Sequence, residues 1–398
     1  MATYEKINGV VSLASNSPGA PTGYGTQARY LVDRLVRHGL KTAVLSNYGL
    51  EGGIQDLKTP FGKATHYPKG WVPHSPDVLK LWHDQHRQAW PELPHLLMTL
   101  YDVWVYSQAK YDGPMACWVP IDHVTLPPMV KEFISRPNVH PITMAPHGHE
   151  LLNSRGIENT YIPHAVDTTI FKPTKNIEGK SVRDWLGIDE DTFLVTMVAN
   201  NKGNGYVHRK ALSENIMAFS LFLKDHPKSH LYLHMDPRPM LGGADIQALL
   251  ESVNLGPDNV SVADPDQLMI GYPQRTLAAI YTASDVFLGA SYGEGFNVPL
   301  IEAQACGTPV ITSSWTAPKD LAGPTSSLVD GQPWWNIKQQ AYWQIPMIGS
   351  IVQALSDMRG KWEGPRVDHA SIEFAKQFHV ETVWQQYWMP FLRDYFAN

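Results

Sequence analysis

The chain has 398 residues, 43% of them hydrophobic and 18% charged, which is the composition of a folded protein and excludes an intrinsically disordered one. A net charge of −6 excludes a coat of Lys and Arg for bulk nucleic-acid binding. The length exceeds one hydrophobic core and fits two domains of about 150–200 residues each.

Short apolar runs alternate with amphipathic segments almost from end to end. Residues 7–14 read as a strand, 26–38 as a helix and 41–46 as a second strand. Between the first strand and the helix lies a glycine-rich loop whose Gly23-x-Gly25-x-x-Ala28 spacing fits a dinucleotide fingerprint. That fingerprint needs its glycines directly after the strand, whereas here seven residues with two prolines follow Ser15. Further strands are expected at 96–101 and 115–119, the latter running into Asp122 and His123 at its carboxyl end. His147 and His149 open a later segment and are weaker candidates for lining a crevice. Residues 171–179 carry Pro173, Asn176 and Gly179 without periodicity and read as a linker.

The second half repeats the alternation. Strands are expected at 193–199, 229–234, 260–262, 285–290 and 309–312, with helices at 211–222, 244–253, 276–283 and 298–305. A last helical segment, 380–395, presents Trp384, Trp388, Phe391 and Tyr395 on one side, and Pro390 should kink it. Strand and helix in steady alternation imply parallel sheets covered on both faces: an α/β protein of two Rossmann-like, doubly wound domains. Ligands of such sheets bind at the carboxyl ends of the strands, here the cleft between the domains.

Two loops carry chemistry. Asn200 to Ala211 is rich in Gly and Asn and brings Lys202, Arg209 and Lys210 to a helix start. Cations at the positive end of a helix are misplaced unless an anion lies between them. Ser291 to Val310 runs strand, glycine loop, helix, strand. Gly293 and Gly295 permit close approach of a ligand to the backbone, and the free amides of the helix start favour an anion. Glu294, Phe296 and Asn297 lie in that loop and Glu302 near the second helical turn, so both glutamates can face one crevice.

This segment resembles the E-x7-E signature of retaining GT-B glycosyltransferases, in particular family four (group 1). Tyr161 to Pro173 is similar to that family's I-P-[HN]-G-V-D-x-x-x-F-x-P segment, with Ala165 where Gly is usual. The resemblance covers nearly the whole chain, most strongly residues 155–320. It implies a nucleotide-diphosphate sugar donor, UDP- or GDP-linked, a hydroxyl-bearing acceptor and retention of anomeric configuration. Glu302 would hold the ribose hydroxyls and Glu294 the donor sugar. His123 would contact the sugar near the reacting carbon, and Lys210, Arg209 and Lys202 the diphosphate, with either Lys202 or Arg209 in the place of the family's Arg. Gly23, Gly25, Gly295, Phe296 and Asn297 would complete the donor site.

The division expected is an acceptor domain at 1–172, a donor domain at 173–377 and a tail, 378–398, packed back on the first. No metal and no cofactor is expected, because cations already serve the phosphates. Asp264-Pro265-Asp266 fits a metal-binding D-x-D pattern, but that motif belongs to a different, single-sheet fold. Two cysteines, no apolar run approaching the ~20 residues of a membrane span and no leader-like start point to a cytoplasmic protein without stable membrane insertion. The acceptor stays open among glycan, small molecule, protein and modified nucleic-acid base. The rival readings are an NAD(P)-dependent oxidoreductase using the Gly23–Ala28 loop, a non-catalytic sugar-nucleotide-binding protein and a glycoside hydrolase. The last needs its carboxylates to straddle a glycosidic bond, whereas both of these come from one loop and its helix.

Overall fold

The computed structural model describes residues 4–177, 179–203, 207–239, 242–364 and 367–397. Residues 204–206 of the basic loop and residue 178 of the expected linker lie outside the described residues.

The first half builds an eight-stranded sheet from β1 (Val10–Ser15), β2 (Lys41–Ser46), β3 (Gln55–Thr59), β4 (Gly62–Tyr67), β5 (His95–Leu100), β6 (Met115–Val119), β7 (Val139–Thr143) and β8 (Thr160–Tyr161). Their order is β3-β4-β2-β1-β5-β6-β7-β8, parallel except for the β3–β4 hairpin. A two-stranded pair, β9 (Asn176–Ile177) and β10 (Lys180–Ser181), precedes the second sheet. That sheet contains β11 (Phe193–Val198), β12 (Ser229–His234), β13 (Val260–Val262), β14 (Val286–Leu288), β15 (Val310–Ser313) and β16 (Ser327–Val329). It is wholly parallel, in the order β13-β12-β11-β14-β15-β16. The order reverses beside β11 and β14, so the loops after these two strands leave the sheet on either side of a crevice. A second hairpin, β17 (Gly331–Asn336) and β18 (Ala341–Pro346), follows.

The inner strands of both sheets read as near-continuous apolar runs, as expected where both faces are covered, whereas the edge strand β3 is polar and largely exposed. β1 and β12 are buried at every position. Residue 171, expected in a linker, is instead core: Phe171 is fully buried beside Tyr281. One apolar cluster joins the halves, running from Leu31, Trp118 and Ile162 to Phe296, Leu300 and Ile301.

The C-terminal segment lies on the first sheet's side of the molecule. Trp384 Nε1 donates to His38 Nε2 at 3.1 Å, Trp388 meets Trp118 edge to face at 4.9 Å and Tyr395 donates to the His95 carbonyl at 2.9 Å. Pro390 does not break it. The turn just before it, Trp384–Trp388, is widened to π-helical geometry, and Pro390 is the second residue of the Met389–Ala397 helix. The wider turn accommodates the lost donor and the ring.

Candidate active site

Glu294 leaves β14 on the glycine loop and is 4% exposed. A carboxylate that deep needs partners, and the basic loop after β11 supplies two. Arg209 Nη1 lies 2.5 Å from Oε2 and Lys210 Nζ 2.6 Å from Oε1. The two loops are also tied through backbone: Arg209 Nη1 donates to the Gly293 carbonyl at 2.6 Å and the Tyr292 amide to the Arg209 carbonyl at 2.9 Å. The Glu294 amide donates to Thr316 Oγ1 at 3.0 Å. Burial pushes the Glu294 carboxyl up, but Arg209 and Lys210 together outweigh it and hold it below the ordinary value. Burial likewise depresses Lys210 despite Glu294.

The backbone is strained around this cluster. Three of the seven described non-glycine residues with positive φ flank it: Ala211 (48°), Asn297 (83°) and Thr316 (51°). Such residues persist only where their surroundings over-determine them, and they gather at functional sites. Ala211 follows the two cations directly and Asn297 caps the Val298–Ala305 helix.

The first sheet meets this cluster from the opposite side. Asp122 and His123 follow β6, with His123 Nδ1 2.6 Å from Asp122 Oδ1 and Arg209 Nε 4.0 Å from Asp122 Oδ2. Burial raises the Asp122 carboxyl, yet His123 and Arg209 bring it below its ordinary value. Asp102, after β5, is pushed up to about 6 by burial and by the charge of Asp122, against the pull of Arg209 and His123. Tyr24, in the first turn of the Gly23–Arg37 helix, packs at a tilt against Tyr101, ring centroids 5.2 Å apart, and feels both aspartates and Arg209. The crevice thus holds two cations and three carboxylates between the carboxyl ends of two parallel sheets.

Glu302 lies apart from the cations. It accepts from Tyr281 Oη at 3.0 Å, and burial pushes it up to about 7 against that hydrogen bond. Tyr30 of the Gly23–Arg37 helix is raised by its own burial and then by the Glu302 charge.

Residues 210–334 match the family model for group 1 glycosyl transferases. That stretch is similar to a group 1 glycosyl transferase domain and holds the Lys210, Glu294 and Glu302 positions described above. Over 177 residues it is 29% identical to a D-inositol 3-phosphate glycosyltransferase of Geodermatophilus obscurus, covering 43% of this chain and 36% of that protein. Over 62 residues it is 36% identical to an O-antigen chain mannosyltransferase B of Escherichia coli, covering 15% of this chain and 16% of that protein. The chain spans little more than a third of the length of the inositol-phosphate relative, at 36%. Among solved structures, a sucrose-phosphate synthase from Thermosynechococcus elongatus superposes with a TM-score of 0.73 at 19% identity, covering 98% of this chain and 99% of that one. A trehalose-6-phosphate protein from E. coli bound with UDP-2-fluoro glucose gives 0.66 at 12%, covering 96% and 99%. At these identities the likeness is one of fold, and the fold is GT-B.

Within this glycosyltransferase frame the structure gathers Glu294, Arg209, Lys210 and His123 into one cluster and leaves other sequence-expected residues with different surroundings. The glycines of the loop after β14 approach protein. A Cβ on Gly295 would stand 2.5 Å from Pro120 Cβ, and one on Gly293 would strike the Asp122 carbonyl oxygen. They let the two halves touch. Phe296 is 2% exposed with its ring packed on His164 and Phe378, which leaves its backbone as the part that can face a donor. Gly25 is filled by its own turn, where a Cβ would stand 2.8 Å from the Ser17 carbonyl oxygen, whereas Gly23 faces open space. Both glycines lie in the first turn of the Gly23–Arg37 helix, after the loop rather than in it, unlike a dinucleotide fingerprint. Lys202 is exposed, and its charge depresses His74 after the imidazole's own burial does. His147 Nε2 bonds the His123 carbonyl at 2.8 Å and His149 bonds Asn159 at 2.8 Å, both supporting roles. Asp264 caps its helix by accepting from the Asp266 and Gln267 amides, both at 2.9 Å.

Sequence reasoning passed over Asp102, Tyr24 and Trp343. Asp102 was findable: it follows an expected strand just as Asp122 and His123 do. Trp343, stacked on His123 at 4.8 Å, carried no local signal among thirteen tryptophans.

Proposed function

We propose that the chain is a retaining glycosyltransferase that moves a sugar, most simply a hexose, from a nucleotide-diphosphate sugar to a hydroxyl acceptor without a metal ion. The observation that carries this reading is the buried Glu294–Arg209–Lys210 cluster, set where the carboxyl ends of both sheets converge. Departure of a nucleoside diphosphate puts negative charge on a phosphate oxygen. Two fixed cations beside a helix start stabilise that charge best in a water-excluded site.

In this reading residues 173–377 bind the donor and residues 1–172 the acceptor. Glu302 accepts from the ribose hydroxyls, Glu294 orients the donor sugar, and Arg209, Lys210 and Lys202 hold the diphosphate. The Gly23 opening and the backbone of Phe296 and Asn297 line the same path. His123 contacts the sugar near its anomeric carbon, and Asp102 and Asp122 receive the acceptor's hydroxyls. The bond from the anomeric carbon to the phosphate oxygen breaks as the bond to the acceptor oxygen forms on the same face. The acceptor's proton passes to the departing phosphate, so no side chain acts as nucleophile. The E. coli neighbour bound with UDP-2-fluoro glucose supports a UDP-sugar as the first donor to try. Cys117 and Cys306, both free and buried, fit a reducing cytoplasm, and no described helix is long and apolar enough to cross a membrane.

The test is release of nucleoside diphosphate from a panel of UDP- and GDP-sugars, with wild type beside Glu294→Gln and Arg209→Ala. One donor should turn over, and each substitution should lower turnover about 100-fold or more. Unchanged turnover in both variants rejects the site. Tight NADH binding with no donor turning over favours the oxidoreductase reading instead.

A further inference from the structure

His123 is held from outside its own half of the molecule. Its ring lies face to face with the Trp343 indole, centroids 4.8 Å and planes 16° apart, and the two side chains are 2% and 4% exposed. Trp343 sits on β18, paired with Trp334 of β17 in register and stacked on it at 6.1 Å and 20°. Tyr292, the residue before Gly293, meets both indoles at 6.4 Å.

The same strand edge makes backbone bonds to both halves. The Gln344 amide donates to the Tyr292 carbonyl at 2.9 Å, and the Val124 amide donates to the Tyr342 carbonyl at 3.1 Å. Gly293 leaves the room for this, since a Cβ there would stand 2.7 Å from Trp343 Cδ1. The hairpin therefore reaches from the second sheet, across the glycine loop, onto residues 122–124. Asp122 Oδ1 lies 2.6 Å from His123 Nδ1. Both ring nitrogens of His123 and Trp343 Nε1 are buried without a hydrogen-bond partner among the described residues. Buried ring nitrogens are ordinarily satisfied, and three orphans on one stacked pair leave hydrogen-bonding capacity for a polar ligand.

We propose that the β17–β18 hairpin is a strap and Trp343 a positioning residue, whose indole fixes the plane of the His123 imidazole while the two halves are together. A side chain that only filled space would be replaceable by any apolar group, but a stack needs a ring. The proposal rests on the reading of His123 as a contact to the donor sugar.

The experiment compares Trp343→Leu, which keeps apolar bulk without a ring, with Trp343→Phe, which keeps a ring. The first readout is the Cε1–H resonance of His123 in protein with isotope-labelled histidine, assigned by its loss in His123→Asn. The second is the split between turnover and binding of UDP or GDP. In Trp343→Leu the resonance should move downfield, out of the indole's shielding. Turnover should fall about tenfold or more while nucleotide binding stays within about twofold. Trp343→Phe should restore most of both. An unmoved resonance in Trp343→Leu, equal turnover in all three proteins, or a Phe variant as impaired as the Leu variant overturns the proposal. If wild type transfers no sugar at all, the functional reading fails, while the resonance still decides whether Trp343 holds His123.

Discussion

Glu294 and Glu302 stand on one loop and the helix that follows it, yet their surroundings are opposite. Two cations outweigh the burial of Glu294 and hold its carboxyl below the ordinary value, whereas Glu302 has, among the described residues, the Tyr281 hydroxyl as its hydrogen-bond partner and rises to about 7. The sign follows from comparison with the ordinary value of 4.5. Below that value the group is protonated folded or unfolded. Between about 4.5 and 7 only the unfolded chain releases the proton, so this group makes the fold less stable as pH rises through that window. Ribose hydroxyls donating to the carboxylate favour its ionised form, so nucleotide binding should strengthen as pH rises through about 7. Calorimetric titration of UDP or GDP at pH 6 and pH 8 should show affinity up to about tenfold higher at pH 8. Glu302→Gln should abolish the difference. A pH-independent wild type would contradict the role given to Glu302.

At the scale of elements, the strand–loop–helix from β14 to β15 was legible because each local preference agreed with the fold. Pro299 sits in the first helical turn and Gly307, at φ +83°, ends the helix. The second sheet was readable for the same reason, with β12 and β13 falling on their expected residues. The β17–β18 hairpin was not legible. Gly331–Pro346 has Trp, Gln and Pro in no period-2 pattern, and Trp343 within it packs both on His123 of the other half and on Tyr292 of its own. The glycines after β14 were found, but sequence cannot say whether a bare backbone meets a ligand or another segment of chain. Gly295→Ala tests the second answer. Its methyl would enter the 2.5 Å gap to Pro120 Cβ and force the halves apart. A cost of about 1–3 kcal/mol is expected, seen as a lower Tm together with reduced turnover. A fully stable and active variant would show that the contact yields freely.

Across the whole molecule the returning C-terminal segment ties the ends of the chain together. Glu381 bridges Arg34 and Arg37 at 2.6 and 2.7 Å, and those two side chains are only 11% and 6% exposed. Glu381→Ala would leave both guanidinium groups poorly paired. Because Glu381 itself is 42% exposed, the loss should be about 1–3 kcal/mol rather than that of a deep pair. Thermal unfolding should show it, with nucleotide affinity unchanged at a distance from the site.

The central claim is that Arg209 and Lys210 bind a diphosphate in that crevice. Titration of UDP and GDP into the protein in the presence of EDTA tests it directly. At least one nucleotide should bind with a Kd in the micromolar range, and Arg209→Ala should weaken it about tenfold or more. No binding by either nucleotide, binding that appears only when a divalent cation is added, or an Arg209→Ala variant that binds like wild type would contradict the account.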